Sequence, residues 1–233
     1  MTFHTVNTAI LDMQLAPFSL TSKTLSGLLY DTSAVIAGGA VVHYLYNSTN
    51  TAAATAATAA KPMADEADLD FWIYDPTMTM DTDAYHTSRA FRSLVEKRFE
   101  QALPDYKPTT CPTPTHSISY ATLSDAFTAQ GGTSLSIRWW RHATTGRMIN
   151  LIYMSKPPAK AIPLFDLPIC RAMMFGLHTG DLMGDWSAVT IQDIRERRLT
   201  LPTGSVENKT KSKTLETRIA KYCSRYGLTV SAG

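Results

Sequence analysis

The chain has 233 residues, of which 44% are hydrophobic and 18% are charged, and its formal net charge at pH 7 is +2. This length fits one large domain, or one domain with an appendage, and is enough to bury a core without disulfide bonds. The small net charge argues against a surface built to coat nucleic acid.

The cysteines and the N-terminus point to a reducing compartment. Cys111, Cys170 and Cys223 are odd in number and far apart, and they form neither a CxxC pair nor a disulfide framework. The N-terminus lacks a secretory signal pattern, and the longest apolar run, "AVIAGGAVV", is too short to cross a membrane. We expect a soluble cytoplasmic protein with no membrane partner.

The first half of the chain predicts a helix, a strand and a second helix. "TSKTLSGLLYDTS" (21–33) predicts a helix capped by Thr21 or Ser22. "AVIAGG" predicts a buried strand that ends in a turn at Gly38 and Gly39, and "AVVHYLYN" predicts the helix that follows. Residues 48–63 are rich in Ala and Thr and predict a mobile surface insert.

The second half alternates strands and helices. "DLDFWIY" (68–74) has the alternation of a strand, and 82–105 has the spacing of an amphipathic helix. "SLSIRWWR" and "GRMINLIYM" predict a hairpin whose outward tryptophan either stacks on a base or packs under a loop. The remaining predictions include a Pro-rich loop at 107–115 and a strand at 161–175, in which Pro168 marks an interruption or edge after Asp166. Helices are predicted in "SAVTIQDIRERRL" and "TLETRIAKYCSRYGL", with Gly227 at the C-terminal end.

Two aspartates on one strand indicate a metal site. Asp68 and Asp70 point to the same face because side chains alternate along a strand. Two nearby carboxylates repel each other, and a divalent cation such as Mg²⁺ or Mn²⁺ relieves that repulsion.

Two further features are consistent with a bound nucleotide. Gly38 and Gly39 open a helix, where free N–H groups and a partial positive charge suit a phosphate. Asp166, in the apolar context "LFDLP", is the candidate third carboxylate of a two-metal site. The same glycines also fit a tight turn with close packing, and the same aspartates fit a solvated strand end or a turn cap.

The order of these motifs, "AGGAVV…DLDFWIY…FDLPIC", resembles the nucleotidyltransferase fold of the polymerase-beta-like superfamily. The likeness is closer to nucleotidyltransferase-like proteins of phages and large DNA viruses, through the tail "TLETRIAKYCSRYG" at 214–227. The resemblance implies an α+β fold with a mixed sheet flanked by helices, and, if the chain is viral, a location in the host cytoplasm. The gap between the glycines and Asp68 is longer than is usual in that family.

The resemblance also implies roles for the motif residues. Asp68 and Asp70 would bind both metals, Asp166 would bind the catalytic metal and help activate the attacking hydroxyl, and Gly38 and Gly39 would contact the triphosphate. The enzyme would transfer a nucleoside monophosphate (NMP) from a nucleoside triphosphate (NTP) to an RNA, a protein or another acceptor, and release pyrophosphate. We expect a core at 1–175 and a basic, helical C-terminal segment at 176–233.

Basic residues near the C-terminus are candidate nucleotide ligands. Arg218, Lys221 and Arg225 share one helix face, which contacts either the triphosphate, an anionic acceptor or only solvent. The main alternative to an enzyme is an inactive module of the same fold that binds nucleotide, nucleic acid or a host protein. A toxin that modifies a host tRNA or protein would share the enzyme's chemistry. The sequence gives no oligomeric state.

Overall fold

The computed structural model describes residues 3–50, 68–81, 84–86, 88–110, 135–201 and 209–232. The helices in these ranges are α1 Thr8–Leu15, α2 Ser22–Thr32, α3 Gly39–Asn50, α4 Arg89–Ala102, α5 Pro158–Ala161, α6 Ala188–Arg195 and α7 Lys209–Tyr226. The strands are β1 Phe3–Thr5, β2 Ala34–Ala37, β3 Leu69–Tyr74, β4 Thr79–Asp81, β5 Ala84–His86, β6 Tyr106–Thr109, β7 Leu135–His142, β8 Met148–Met154, β9 Met173–Gly176, β10 Leu182–Asp185, β11 Arg198–Leu201 and β12 Thr229–Ala232.

A mixed sheet of eight strands organises the described residues, in the order β1-β10-β9-β2-β3-β8-β7-β6. The central pair β3 and β8 is parallel, and the other neighbours in this sheet are antiparallel. The predicted α+β fold with a mixed sheet flanked by helices is confirmed.

Helices cover both faces of the sheet. On one face, Phe71 of β3 meets Phe99 of α4 with ring centroids 4.9 Å apart. On the other face, Trp72 meets Phe165 with centroids 5.0 Å apart, so the segment between β8 and β9 lies there. Strand β8 is buried along its whole length, as expected for a central strand covered on both sides.

Local sequence signals explain several element boundaries. The Thr21 hydroxyl accepts a hydrogen bond from the Thr24 N–H at 3.1 Å and caps α2, as predicted. Gly227 has a φ of +65° and its N–H donates to the Cys223 carbonyl at 2.8 Å, which ends α7 as predicted. The hairpin of β7 and β8 is also confirmed.

The prediction of a strand over 161–175 is wrong. The segment contains the end of α5 and two 3₁₀ turns, Ile162–Leu164 and Pro168–Cys170, and β9 begins only at Met173. Each turn has a proline in its first positions, where the backbone N–H that proline lacks has no partner within the turn. In a strand, the same missing N–H would remove a hydrogen bond to the neighbouring strand. Asp166 therefore lies on a connection between two turns.

Three other boundaries differ from the predictions. The helix predicted at 82–105 begins at Arg89, after strand β5 and the cap residue Ser88. The predicted loop at 107–115 begins as strand β6, and 111–115 lie outside the described residues. The predicted insert at 48–63 begins inside α3, and 51–63 also lie outside them.

The segment after residue 175 contains strands as well as helices. Strand β10 joins the main sheet beside β9, and β11 pairs with β12 in parallel. The division into 1–175 and 176–233 stays a prediction. In the described part of the chain, no helix has the length and apolar character needed to cross a membrane.

Candidate functional site

Asp68 and Asp70 form a carboxylate pair at the start of β3. The side-chain nitrogen of Asn150 donates to Oδ1 of Asp70 at 2.8 Å and to Oδ2 of Asp68 at 3.3 Å. One oxygen of each carboxylate therefore lies within hydrogen-bonding reach of a single atom. The structure brings together the two aspartates that the strand pattern placed on one face.

Asn150 is supplied by the parallel neighbour β8, where it is the register partner of Asp70. It is fully buried and is the one amide in the otherwise apolar strand "MINLIYM". A buried amide in such a strand needs a hydrogen-bonding partner, and the carboxylates provide it.

A glycine bend, Gly38 and Gly39, joins β2 to α3 beside the carboxylate pair. Strand β2 runs antiparallel to β3 with Ile36 opposite Phe71, so the bend lies at the end of β3 that carries the aspartates. Gly38 has a φ of +77°, a conformation that side chains other than glycine rarely adopt. A bend of this kind lets a strand pass directly into a helix.

Tyr222 of α7 lies over the bend. A Cβ placed on Gly39 would stand 3.3 Å from the Tyr222 hydroxyl oxygen, which is tighter than ordinary contact. Tyr222 is itself buried, and its ring stacks near that of Tyr226 with centroids 6.1 Å apart. Close packing of α7 is thus one physical reason for glycine at position 39.

Asp166, Cys170, Arg218 and Tyr222 form a polar cluster, here called the C-terminal cluster, between the turns after α5 and helix α7. Arg218 forms an ion pair with Asp166, and the Cys170 thiol lies 3.2 Å from the Tyr222 hydroxyl. The Leu167 N–H also donates to Asp166 at 2.9 Å. The cluster ties α7 to the connection that carries Asp166.

Burial sets the protonation states in the C-terminal cluster. It raises the pKa of the Cys170 thiol and raises that of the Tyr222 hydroxyl, so both groups keep their protons at neutral pH. Burial lowers the pKa of the Arg218 guanidinium, but the charges of the neighbouring groups, among them the Asp166 carboxylate, more than offset this, so its pKa is raised. Arg218 is therefore a fixed positive charge near the glycine bend.

The structure pairs Asp166 with Arg218, whereas Asn150 bridges Asp68 and Asp70. Among the described residues, no three His, Cys, Asp or Glu side chains are grouped closely enough to hold a metal ion. The two-metal site with three aspartates stays a prediction.

The three predicted basic residues have different surroundings. Arg218 reaches into the C-terminal cluster with 29% of its side chain exposed, whereas Lys221 is exposed and Arg225 is half-buried. Their roles as nucleotide ligands stay predictions. Asn150 and Cys170 were missed by sequence reasoning; a single amide in an apolar strand is the signal that would have identified Asn150.

No protein-family model and no curated protein sequence matches the chain. Solved structures do match its fold. The CCA-adding enzyme of Thermotoga maritima complexed with tRNA matches with a TM-score of 0.58 and 10% sequence identity over 99% of this chain and 43% of that one. A CCA-adding enzyme in complex with CTP matches with a TM-score of 0.54 and 14% identity over 99% of this chain and 44% of that one.

A third structure, a CCA-adding enzyme in complex with ATP, matches with a TM-score of 0.54, 10% identity and the same coverage, 99% and 44%. The chain spans less than half the length of these neighbours. They belong to the polymerase-beta-like superfamily that the sequence motifs resemble, but they give no support for the closer likeness to phage and viral proteins. At this identity the similarity is one of fold, and the chain therefore has a nucleotidyltransferase-like α+β fold.

Proposed function

We propose that the chain is a metal-dependent nucleotidyltransferase that transfers an NMP from an NTP to an acceptor hydroxyl and releases pyrophosphate. The observation that carries this proposal is the convergence of Asp68 and Asp70 on one point beside the glycine bend. The fold shared with CCA-adding enzymes over 99% of this chain supports it.

The residues present fit a divalent cation. Asp68 and Asp70 offer hard carboxylate oxygens, and their approach to a common nitrogen leaves two negative charges close together. The Asn150 amide also carries an oxygen, and turning the amide over would present it to the same point. A bound Mg²⁺ or Mn²⁺ would neutralise charge that develops on the phosphates during transfer.

The chain's own groups would bind and orient the triphosphate. Free N–H groups at the start of α3, next to the glycine bend, suit phosphate oxygens. Holding the α-phosphate in line with an acceptor hydroxyl would contribute to catalysis of this reaction. The acceptor hydroxyl would give up its proton to Asp166 as its oxygen bonds to the α-phosphorus, and the bond from that phosphorus to the pyrophosphate oxygen would break, so that pyrophosphate leaves.

The ion pair of Arg218 and Asp166 fits this proposal if both side chains change partners when the nucleotide binds. Arg218 would leave the Asp166 carboxylate and pair with the incoming triphosphate, which carries more negative charge. Asp166 would then be released toward the cation and the acceptor hydroxyl. Lys221 and Arg225 lie on the same helix and would add positive charge beside the phosphates.

The solved neighbours support a class of nucleotide and a class of acceptor, and no more. Solved neighbours are complexed with CTP, with ATP and with tRNA. We therefore propose an NTP as the donor and place an RNA end first among the acceptors, ahead of a protein hydroxyl.

A second candidate function is a non-catalytic module of the same fold. The ion pair between Asp166 and Arg218, together with Tyr222 packed over Gly39, favours this candidate because both arrangements fill the region near the bend with the chain's own side chains. Such a module would bind nucleotide, nucleic acid or a protein without transferring an NMP.

Thermal unfolding with each NTP, with and without Mg²⁺ or Mn²⁺, separates the two candidates. A ligand that binds the native state raises its apparent stability, by about 2.7 kcal/mol at a hundredfold excess over Kd. The proposal predicts a shift that requires both NTP and cation and that is lost in Asp70→Asn but kept in the exposed control Asp31→Asn. A wild-type protein that no NTP stabilises contradicts the proposal.

A further inference from the structure

One face of the sheet continues from the carboxylate pair to its outer edge. Asp70 is the register partner of Asn150, Asn150 of Trp139, and Trp139 of Thr109, so these four side chains share one face. The neighbouring row on this face is Met148, Arg141 and Lys107. Leu69 is the register partner of Ile149, so Asp68, one residue earlier, lies beside Met148 at the end of this row.

Lys107 and Arg141, here called the basic strip, are both exposed on this face. In the described part of the chain, neither one forms an ion pair with a carboxylate. They line a cleft of about 500 Å³ together with Thr109, Thr144 and Thr145. Two exposed cations that have no acidic partner among the described residues, beside hydroxyl groups, match an anionic ligand.

The turn between β7 and β8 packs against the Arg141 guanidinium. A Cβ on Gly146 would stand 3.4 Å from Nη2 of Arg141, so the guanidinium rests against this glycine, whose φ is +71°. The N–H groups of Thr144 and Thr145 donate to Nδ1 of His142 at 3.2 and 3.1 Å. The turn is therefore stabilised by its own hydrogen bonds, and it lies against the Arg141 side chain.

The basic strip leads away from the carboxylate pair along the same end of the sheet. Neighbouring strands lie roughly 5 Å apart, so Arg141 is about 10 Å from the Asp68 strand and Lys107 about 15 Å. Acidic groups at one end and cations at the other suit a ligand whose reactive end is a hydroxyl and whose body carries phosphates. Trp139, half-buried on the same face, offers an aromatic surface for a base.

We propose that the basic strip binds the phosphates of a single-stranded nucleic acid whose terminal hydroxyl is the acceptor at the carboxylate pair. This inference rests on the proposed function and names its acceptor class. An acidic peptide would satisfy the two cations but not the aromatic surface, whereas a nucleic acid satisfies both. Arg141 and Lys107 position the strand and carry no sequence readout.

The test measures the binding of short fluorescent single-stranded RNA and DNA of one sequence, without NTP and in EDTA, by anisotropy between about 50 and 200 mM salt. Lys107→Gln and Arg141→Gln each weaken binding about tenfold and lower the slope of log Kd against log salt by about 0.7. Arg138→Gln is the matched control. It removes an exposed arginine from the same strand, but Arg138 faces the other side and pairs with Glu96 at 3.8 Å.

The outcomes separate this inference from the proposed function. Three results would overturn the inference. The wild type binds neither oligonucleotide, or Arg138→Gln weakens oligonucleotide binding as much as Lys107→Gln and Arg141→Gln do. The third is that polyglutamate displaces the bound oligonucleotide as effectively as unlabelled oligonucleotide does. If NTP and cation still stabilise such a protein, the proposed function stands without it. If the protein binds oligonucleotide through Lys107 and Arg141 but no NTP stabilises it, the basic strip is supported as a nucleic-acid-binding surface and the proposed function is overturned.

Discussion

Replacing Asn150 with aspartate tests whether the carboxylate pair is a metal site. The wild-type amide donates to Asp70 at 2.8 Å and to Asp68 at 3.3 Å, and it is fully buried. Asn150→Asp removes both bonds and sets a third negative charge among the first two. The variant therefore turns an amide-bridged pair into a set of three carboxylates.

The size of the effect follows from these contacts. Hydrogen bonds to charged groups contribute about 1.5–3 kcal/mol each, so the loss of one short and one long bond, with added repulsion, costs about 3–4 kcal/mol in EDTA. For a chain of this length, that loss lowers Tm by roughly 6–16 °C.

Thermal unfolding with and without Mg²⁺ or Mn²⁺ provides the assay. The third carboxylate strengthens cation binding, so the cation raises the Tm of Asn150→Asp more than that of the wild type. Asn47→Asp is the control, because Asn47 is also buried but lies beside His43 on α3. Unchanged stability of Asn150→Asp in EDTA, or a loss that neither cation reduces, would refute the reasoning.

Two further predictions concern α7 and its contacts. Gly39→Ala lowers the free energy of unfolding in urea by about 1 kcal/mol, because the added Cβ meets the Tyr222 hydroxyl at 3.3 Å. Most of this loss disappears in a Tyr222→Phe background, and losses of stability that simply add in the double variant would contradict the contact. If Arg218 moves to the triphosphate, Arg218→Met weakens NTP binding about tenfold in calorimetry. Asp166→Asn lowers the free energy of unfolding by about 1 kcal/mol and leaves NTP binding without a cation intact. Equal NTP affinity in Arg218→Met and the wild type would exclude the exchange of partners.

Local patterns predicted the central part of the fold. Alternation in "DLDFWIY", the Gly-Gly bend before an apolar helix, and the threonine cap of α2 each act over a few residues, and the structure contains all three. These signals were sufficient to place Asp68 and Asp70 on one face of one strand.

Longer-range features lay beyond such patterns. Asp70 and Asn150 are 80 residues apart, and only the parallel register of β3 and β8 brings them together. The ion pair of Asp166 and Arg218 depends on how α7 docks, which no local spacing determines. The apolar residues of 161–175 predict a strand with an interruption or edge at Pro168, but Pro163 and Pro168 both lack a ladder donor, and the structure has turns there instead.

Transfer of a labelled α-phosphate from NTP to an oligonucleotide or protein acceptor, in Mg²⁺ or Mn²⁺, tests the central claim most directly. The account predicts a covalently labelled product and released pyrophosphate with the wild type and with Asp31→Asn. It predicts neither with Asp68→Asn or Asp70→Asn, although both variants remain folded. Transfer at the wild-type rate in either of these two variants would contradict the assignment of the carboxylate pair as the catalytic centre.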